Sequence, residues 1–243
     1  MQIGQKIIHL ESVDSTNKSI ANLLKQGDIT HGTVILADDQ FDGKGQRGAQ
    51  WLVKPGENLT FSFLLENVSL SLSQQFYLTQ VVSLSLIRLL KKLEISARIK
   101  WPNDIFVNGV KIAGILIENQ VQNGVIKNSI IGIGLNVNQQ KFDSFKATSI
   151  ALELGIQHNL QEVLFSFIHS FNSTWIPHSE EAKRTIQHDY LAHLLNYKKK
   201  SSYSDKHGEF EGEITGVNEA GQLEVIKGTT KIAYDLKEIE FKL

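Results

Sequence analysis

"ARIKWPNDIFVNGVKIAGILIENQ" (residues 97–120) and, two residues later, "NGVIKNSIIGIGLNVNQ" (123–139) decide how this chain folds. Both are strand-like in content, and Asn-Gly pairs stand at 108–109 and 123–124. Asn-Gly is the strongest short signal for a two-residue hairpin turn, because both central residues need positive φ. A three-stranded antiparallel meander is therefore predicted. Counting outward from the turns sets Phe106 opposite Lys111 and Asp104 opposite Ala113. The second turn sets Lys111 opposite Asn136, Ala113 opposite Gly134 and Ile115 opposite Gly132. Alternation then places Asp104, Phe106, Lys111, Ala113, Gly132, Gly134, Asn136 and Asn138 on one face, and Ile112, Leu116, Ile131, Ile133, Leu135 and Val137 on the other. A bulge in the second hairpin would shift this count by one. The second face is a bed for helices. The first is a floor of alanine and glycine rimmed by Lys, Asp and Asn, the usual anatomy of a small-molecule site, with Lys111 near its middle.

Upstream, "VDSTNKSIANLLKQG" (13–27) reads as a helix starting near Ser15 and ending at Gly27. "GTVILADD" (32–39) and "NLTFSFLLE" (58–66) read as strands, with "GKGQRG" (43–48) on the loop between them. "SQQFYLTQVVSLSLIRLLKKL" (73–93) is apolar at helical spacing and basic at its end, so it is predicted to cover one face of the sheet. Downstream, "TSIALELG" (148–155), "LQEVLFSFIHSFNSTWI" (160–176) and "SEEAKRTIQHDYLAHL" (179–194) read as helices. From Tyr197 the texture changes to short alternating segments separated by glycine turns. The expected organisation is a catalytic or binding domain over 1–196 and a small β-barrel over 197–243, joined through the basic run "YKKKSS".

The chain has 243 residues, 41% of them hydrophobic and 21% charged, with a formal net charge of -1. Any bound anion must therefore meet a local cluster of cations, since bulk attraction to nucleic acid or membrane is absent. With no cysteine there is no disulfide, thiolate metal site or catalytic cysteine. The eight histidines lack ligand spacing, and no structural metal is expected. No signal peptide and no eighteen-residue apolar run is present, so the expectation is a cytoplasmic protein that does not engage a membrane. In "GKGQRG", three glycines and two cations suit either a solvated turn or a loop whose amides hold an anion.

Taken together and in order, "GKGQRG", "KWPND", "KIAGILIE" and "GIGLNVN" resemble the biotin protein ligase family, from about Ser15 to the C-terminus. The resemblance implies an α+β fold: a class II aminoacyl-tRNA-synthetase-like catalytic domain with a mainly antiparallel sheet, then a small SH3-like barrel. It implies activation of biotin by Mg²⁺-ATP to biotinyl-5'-AMP, and transfer to a lysine of a biotin carboxyl carrier domain of a carboxylase. Lys111 and Arg47 match the catalytic cations. Ser15, Thr16, Asn17, Gln40, the loop Gly43, Lys44, Gly45, Gln46 and Arg47, and Lys111, Gly114 and Gly134 match biotin-binding positions. Arg47, Trp51, Lys100, Asn103, Lys111 and Asn136 match ATP-binding positions. Mg²⁺ arrives with ATP, with no metal site in the protein itself. A lipoate or octanoate ligase or transferase is the alternative on the same scaffold. Only fourteen residues precede Ser15, too few for a DNA-reading helix-turn-helix, so no specific DNA binding is expected.

Many family members carry further cations where this chain has Gln46 and Ala49, and an alanine where it has Asp42. The loop then holds its adenylate with fewer charges. Gln46→Arg is expected to slow release of biotinyl-AMP, measured as its dissociation rate. An unchanged or faster rate would count against this account.

Overall fold

The computed structural model describes residues 2–48, 50–51, 54–142, 146–175 and 179–242, with Arg47 in its backbone only. Strand β1 (Ile7–Val13) precedes helix α1 (Thr16–Gln26), and β2 (Val34–Gln40) and β3 (Leu59–Ser71) flank the glycine-rich loop. Helix α2 (Phe76–Lys92) leads into β4 (Arg98–Lys100), β5 (Asp104–Val107), β6 (Val110–Gln122) and β7 (Val125–Leu135). Helices α3 (Ile150–Leu154), α4 (Leu160–Thr174) and α5 (Glu180–His193) follow. The chain ends in β8 (Lys200–Asp205), β9 (Gly208–Val217), β10 (Leu223–Lys227), β11 (Thr230–Tyr234) and β12 (Ile239–Phe241).

The first seven strands form one sheet in the order β1-β2-β3-β7-β6-β5-β4, antiparallel except for the parallel β1/β2 pair. Strand β1 has no counterpart in the sequence reading, which assigned structure only from the following helix onward. One sheet face packs on α2, α4 and α5. There Phe61 and Phe63 of β3 meet Phe167 and Phe171 of α4, with ring centroids 4.8–6.2 Å apart. The other face is covered by α1, whose Ile20 packs with Ile35, Leu64 and Ile130. Burying aliphatic and aromatic side chains of this size is worth about 1.5–3 kcal/mol each before entropy.

The register corrects the hairpin count. Both Asn-Gly turns close as read, Val107 opposite Val110 and Gln122 opposite Val125, and Phe106 does face Lys111. In β6, however, Ile105 pairs with Ala113 and Phe106 with Lys111, so Ile112 is an extra residue and Asp104 lies opposite Gly114, not Ala113. In β7, Val121 pairs with Ile126 and Gln120 with Asn128, so Lys127 is extra; Gly114 lies opposite Gly134 and Leu116 opposite Gly132. Ala113 and Ile115 therefore face the helices with Ile133 and Leu135, while Leu116 moves to the open face. Lys111 lies beside Ala147, not Asn136, and its carbonyl accepts from Thr148 N–H at 2.9 Å. An extra residue flips strand alternation, and two such shifts cannot be counted from turn signals.

The last five strands form an antiparallel sheet in the order β11-β10-β9-β8-β12. Among the described residues no pairing joins β11 to β12. This sheet docks on the "KWPND" turn: Trp101 Nε1 donates to the Gly221 carbonyl at 2.9 Å, and Gly221, at φ +88°, packs against the Phe76 ring. Tyr190 of α5 is fully buried and donates to the Pro102 carbonyl at 3.1 Å, and burial pushes its hydroxyl far above the ordinary range.

Within the small sheet, Asp205 meets Lys227 Nζ at 2.8 Å and accepts from Tyr234 at 2.9 Å. The lysine bond holds its carboxyl at about 2 against an ordinary 3.8, while burial and Asp205 push Tyr234 up to about 12. A depressed carboxyl stabilises the fold above its unfolded value and loses that contribution as pH falls through its folded value. Thermal stability of the wild type is therefore expected to fall as pH drops from about 4 to about 2. Asp205→Asn is expected to melt lower at neutral pH with a flatter acid profile. An acid profile unchanged by this substitution would show that Asp205 does not carry the dependence.

Candidate active site

The open sheet face holds a cavity of about 640 Å³, within the range typical of small-molecule sites. Its floor crosses the sheet from Thr60 on β3, through Gly132 and Gly134 on β7 and Gly114 on β6, to Asp104 on β5 and Lys100 on β4. Four strand spacings span about 19 Å, enough for an extended two-part ligand. The glycines are there for space. A Cβ on Gly132 would lie 2.4 Å from Asn17 Oδ1, and one on Gly134 would lie 2.0 Å from the Trp51 ring.

At the β3 end, the start of α1 supplies a polar pocket. Ser15 is the N-cap residue, but its side chain makes no capping bond, and Ser15, Thr16 and Asn17 are buried at the cavity wall. Thr16 N–H donates to Gln40 Oε1 at 2.9 Å, and Ser62 Oγ donates to Asn17 Oδ1 at 2.6 Å. At the other end Lys111 Nζ pairs with Asp104 at 2.6 Å and stands 5.4 Å from the Trp51 ring centroid. Lys100 Nζ lies 5.2 Å from the Phe106 ring centroid and 5.6 Å from that of Phe241. The charge is thus concentrated where a polyanion would lie, although the whole chain is nearly neutral.

The glycine-rich loop folds over the floor. Trp51 N–H donates to the Gly43 carbonyl at 2.9 Å, Lys44 bridges to Gln50, and Gln46–Gly48 form a 3₁₀ turn ending at Gly48 with φ +83°. A Cβ on Gly43 would sit 2.5 Å from both Gln40 Nε2 and the Trp51 carbonyl, so the stem requires glycine. Asp42, beside the stem, is neutralised: Lys18 Nζ lies 2.7 Å from it and 3.1 Å from Asp14. Hydrogen bonds to Lys18 lower both carboxyls, and those same bonds raise the Lys18 ammonium, Asp42 first. The anion noted in the sequence therefore fastens the loop to α1.

Ser15, Thr16, Asn17, Gln40, Lys44, Gly45, Gln46, Trp51, Lys100, Asn103, Lys111, Gly114 and Gly134 all line this cavity. Gly43 shapes the loop stem instead. Asn136 is outside the lining: buried, it donates to the Thr148 carbonyl at 3.0 Å and secures the segment beside Lys111. The Arg47 side chain and Ala49 lie outside what the structure describes. Asn103 also has a packing role, donating from its amide to the Ile115 carbonyl at 2.6 Å. Gly132, set on this face by the hairpin count, lines the cavity too; sequence reasoning left out Thr60 and Leu116, and the tail residues Leu236, Ile239 and Phe241. Alternation along "NLTFSF" could have found Thr60; nothing local announces that the tail returns to the cavity.

Three polar atoms in or beside the cavity, Gln46 Oε1, Trp51 Nε1 and Thr60 Oγ1, are buried without hydrogen-bond partners among the described residues. Each such group costs about 1–3 kcal/mol until a ligand or water satisfies it.

The Biotin/lipoate A/B protein ligase family model matches residues 9–136. The bifunctional ligase/repressor BirA of Bacillus subtilis (strain 168) is 29% identical over 238 residues, covering 95% of this chain and 73% of that protein. The biotin--[acetyl-CoA-carboxylase] ligase of Paracoccus denitrificans is 33% identical over 131 residues, covering 53% of each. Among solved structures, biotin protein ligase from Aquifex aeolicus in complex with biotin and ATP superposes with a TM-score of 0.80 at 26% identity, covering 98% of this chain and 99% of that one.

Gly134→Ala is expected to drive the Trp51 indole off the floor and into solvent, shifting part of the tryptophan emission to the red with little change in melting temperature. Emission identical to wild type would show that Trp51 does not rest there.

Proposed function

The chain belongs to the biotin/lipoate A/B protein ligase family, and on that premise we propose that it activates biotin with ATP and transfers it to a lysine of a carrier protein. The observation that carries this reading is one cationic group, Lys111, standing over a glycine floor that runs from a polar head pocket to a second lysine. A ureido ring suits the head pocket, because Thr16, Asn17, Gln40 and Ser62 offer both donors and acceptors there. A lipoyl or octanoyl chain offers no hydrogen-bonding partner to the remaining lone pairs of this buried polar pocket, which disfavours the alternative.

In the first step a carboxylate oxygen of biotin attacks the α-phosphorus of ATP, forming the C–O–P anhydride and expelling pyrophosphate. Two anionic partners must meet, and Lys111 offsets their repulsion at the reacting centre. Its present partner Asp104 holds the ammonium over the floor until the substrates replace or share that contact. Lys44 and the loop amides close over the product, and Phe241 from the small sheet, beside Lys100, walls the nucleotide end. In the second step a neutral amine of the acceptor lysine attacks the anhydride carbonyl, the C–O bond breaks, AMP leaves, and the amine loses a proton as the amide forms. The protein's task is positioning and exclusion of water.

Mg²⁺ fits as an ion carried by the nucleotide. No cluster of three or more His, Cys, Asp or Glu ligands occurs among the described residues, and Asp104 is the carboxylate beside Lys111, suited to the one or two carboxylate contacts that Mg²⁺-phosphate complexes use. When bound it supplies charge neutralisation of the phosphates. The acceptor is read as a biotin carboxyl carrier domain, as the naming of the Paracoccus relative for acetyl-CoA carboxylase suggests. No described helix is long and apolar enough to cross a membrane.

Biotin-dependent ATP–pyrophosphate exchange tests the reading directly. Lys111→Ala is expected to lower exchange roughly a hundredfold to a thousandfold while biotin still binds. Wild-type exchange in that variant would refute the role of Lys111, and no exchange in the wild type would refute the activity.

A further inference from the structure

A chain of short hydrogen bonds runs inward from an exposed carboxylate to the head pocket. Glu118 follows Gly114 and Leu116 on the open face of β6, and it has no cation partner among the described residues. Its Oε2 lies 2.6 Å from Asn17 Nδ2. Asn17 Oδ1 lies 2.6 Å from Ser62 Oγ, and Ser62 Oγ lies 2.6 Å from Thr16 Oγ1.

Donor counting gives this chain one direction. A carboxylate only accepts, so Asn17 turns its NH₂ toward Glu118 and its carbonyl toward Ser62. Ser62 has one hydroxyl hydrogen, spent on Asn17 Oδ1. In the contact between the two hydroxyls, Thr16 must therefore donate. Thr16 in turn has one hydrogen, and the 2.6 Å contact takes it in preference to Gln40 Oε1 at 3.2 Å, which already accepts from Thr16 N–H at 2.9 Å. What Thr16 Oγ1 has left for the cavity is lone pairs.

We infer that Glu118 is a positioning residue that sets the polarity of the Asn17–Ser62–Thr16 chain and thereby makes Thr16 Oγ1 an acceptor for a ring N–H of the substrate's ureido group. Glu118 does not touch the ligand. It acts by denying the Asn17 amide its flipped orientation, in which every hydroxyl downstream would reverse, so that Ser62 would donate to Thr16 Oγ1 and take up a lone pair otherwise open to the ring N–H. The inference rests on biotin being the substrate.

The test is a calorimetric series on the full chain: wild type, Glu118→Gln, Glu118→Ala and Glu118→Lys, each with biotin, with ATP, and with two biotin analogues in which one or the other ring N–H is replaced by oxygen. Glu118→Gln keeps an acceptor and is expected to bind biotin within about twofold of wild type. Glu118→Ala releases the amide and is expected to bind about tenfold more weakly. Glu118→Lys presents only donors, forces the flip, and is expected to bind about a hundredfold more weakly while losing the preference for biotin over the analogue whose oxygen faces Thr16. ATP affinity and melting temperature stay near wild type throughout, which a loss of folding would not allow. Equal biotin affinity across the series, equal losses in Glu118→Gln and Glu118→Ala, or undiminished discrimination in Glu118→Lys would each overturn the inference. Failure of the wild type to bind biotin would instead overturn the substrate assignment, and this inference with it.

Discussion

Ile112 is one residue more than β6 needs to pair with β5, and the site depends on where that residue goes. In a regular strand Lys111 and Gly114, three positions apart, would point to opposite faces. The bulge sends Ile112 into the helix-side core beside Ala113, so that Lys111 and Gly114 share the open face; a Cβ on Gly114 would lie 3.1 Å from Lys111 Nζ. The ammonium is thereby laid over bare backbone. Bulges are frequent beside active sites because they re-aim a side chain at the cost of one ladder position.

Around that point the fold divides the labour between the two sheet faces. The helix-side face carries the burial that stabilises the domain, through Phe61, Phe63, Ile131 and Ile133 against α2 and α4. The open face carries three glycines and a row of small polar groups, which contribute little burial and leave room for a ligand. Trp51, at the end of the glycine-rich loop, substitutes for that ligand in part, resting its indole on Gly114 and Gly134 with its N–H unsatisfied among the described residues. The small sheet completes the wall, tied through Trp101 and Gly221 to the same turn that presents Lys100 and Asn103.

Electrostatics here are local and arranged in pairs. Lys111 is held by Asp104 and Lys18 by Asp42 and Asp14, and a net charge of -1 gives a polyanion no bulk attraction to the chain. The pairs position cations at small cost while the cavity is solvated, and they remain available when a phosphate or carboxylate arrives.

Much of this was legible without coordinates. Helix α1 and its start at Ser15, the strands on either side of the loop, the meander and its two turns follow from cap residues, β-branched content and Asn-Gly pairs, which act over a few residues. The face of Lys111 was read correctly, though by a count in which two errors cancel: the extra residue in β7 shifts Gly134 by one, and the extra residue in β6 shifts Lys111 back. At Ala113, Ile115 and Leu116 they do not cancel, and those side chains sit on the faces opposite to the ones counted. The sequence by itself determined the elements, the turns and the chemical character of the site, because these are properties of neighbouring residues. Only the tertiary structure decided the bulges, the parallel β1, the partner of Asp42 and the return of Phe241 to the cavity. Each of these is a choice between pairings of nearly equal local energy, settled by what the rest of the core will pack against.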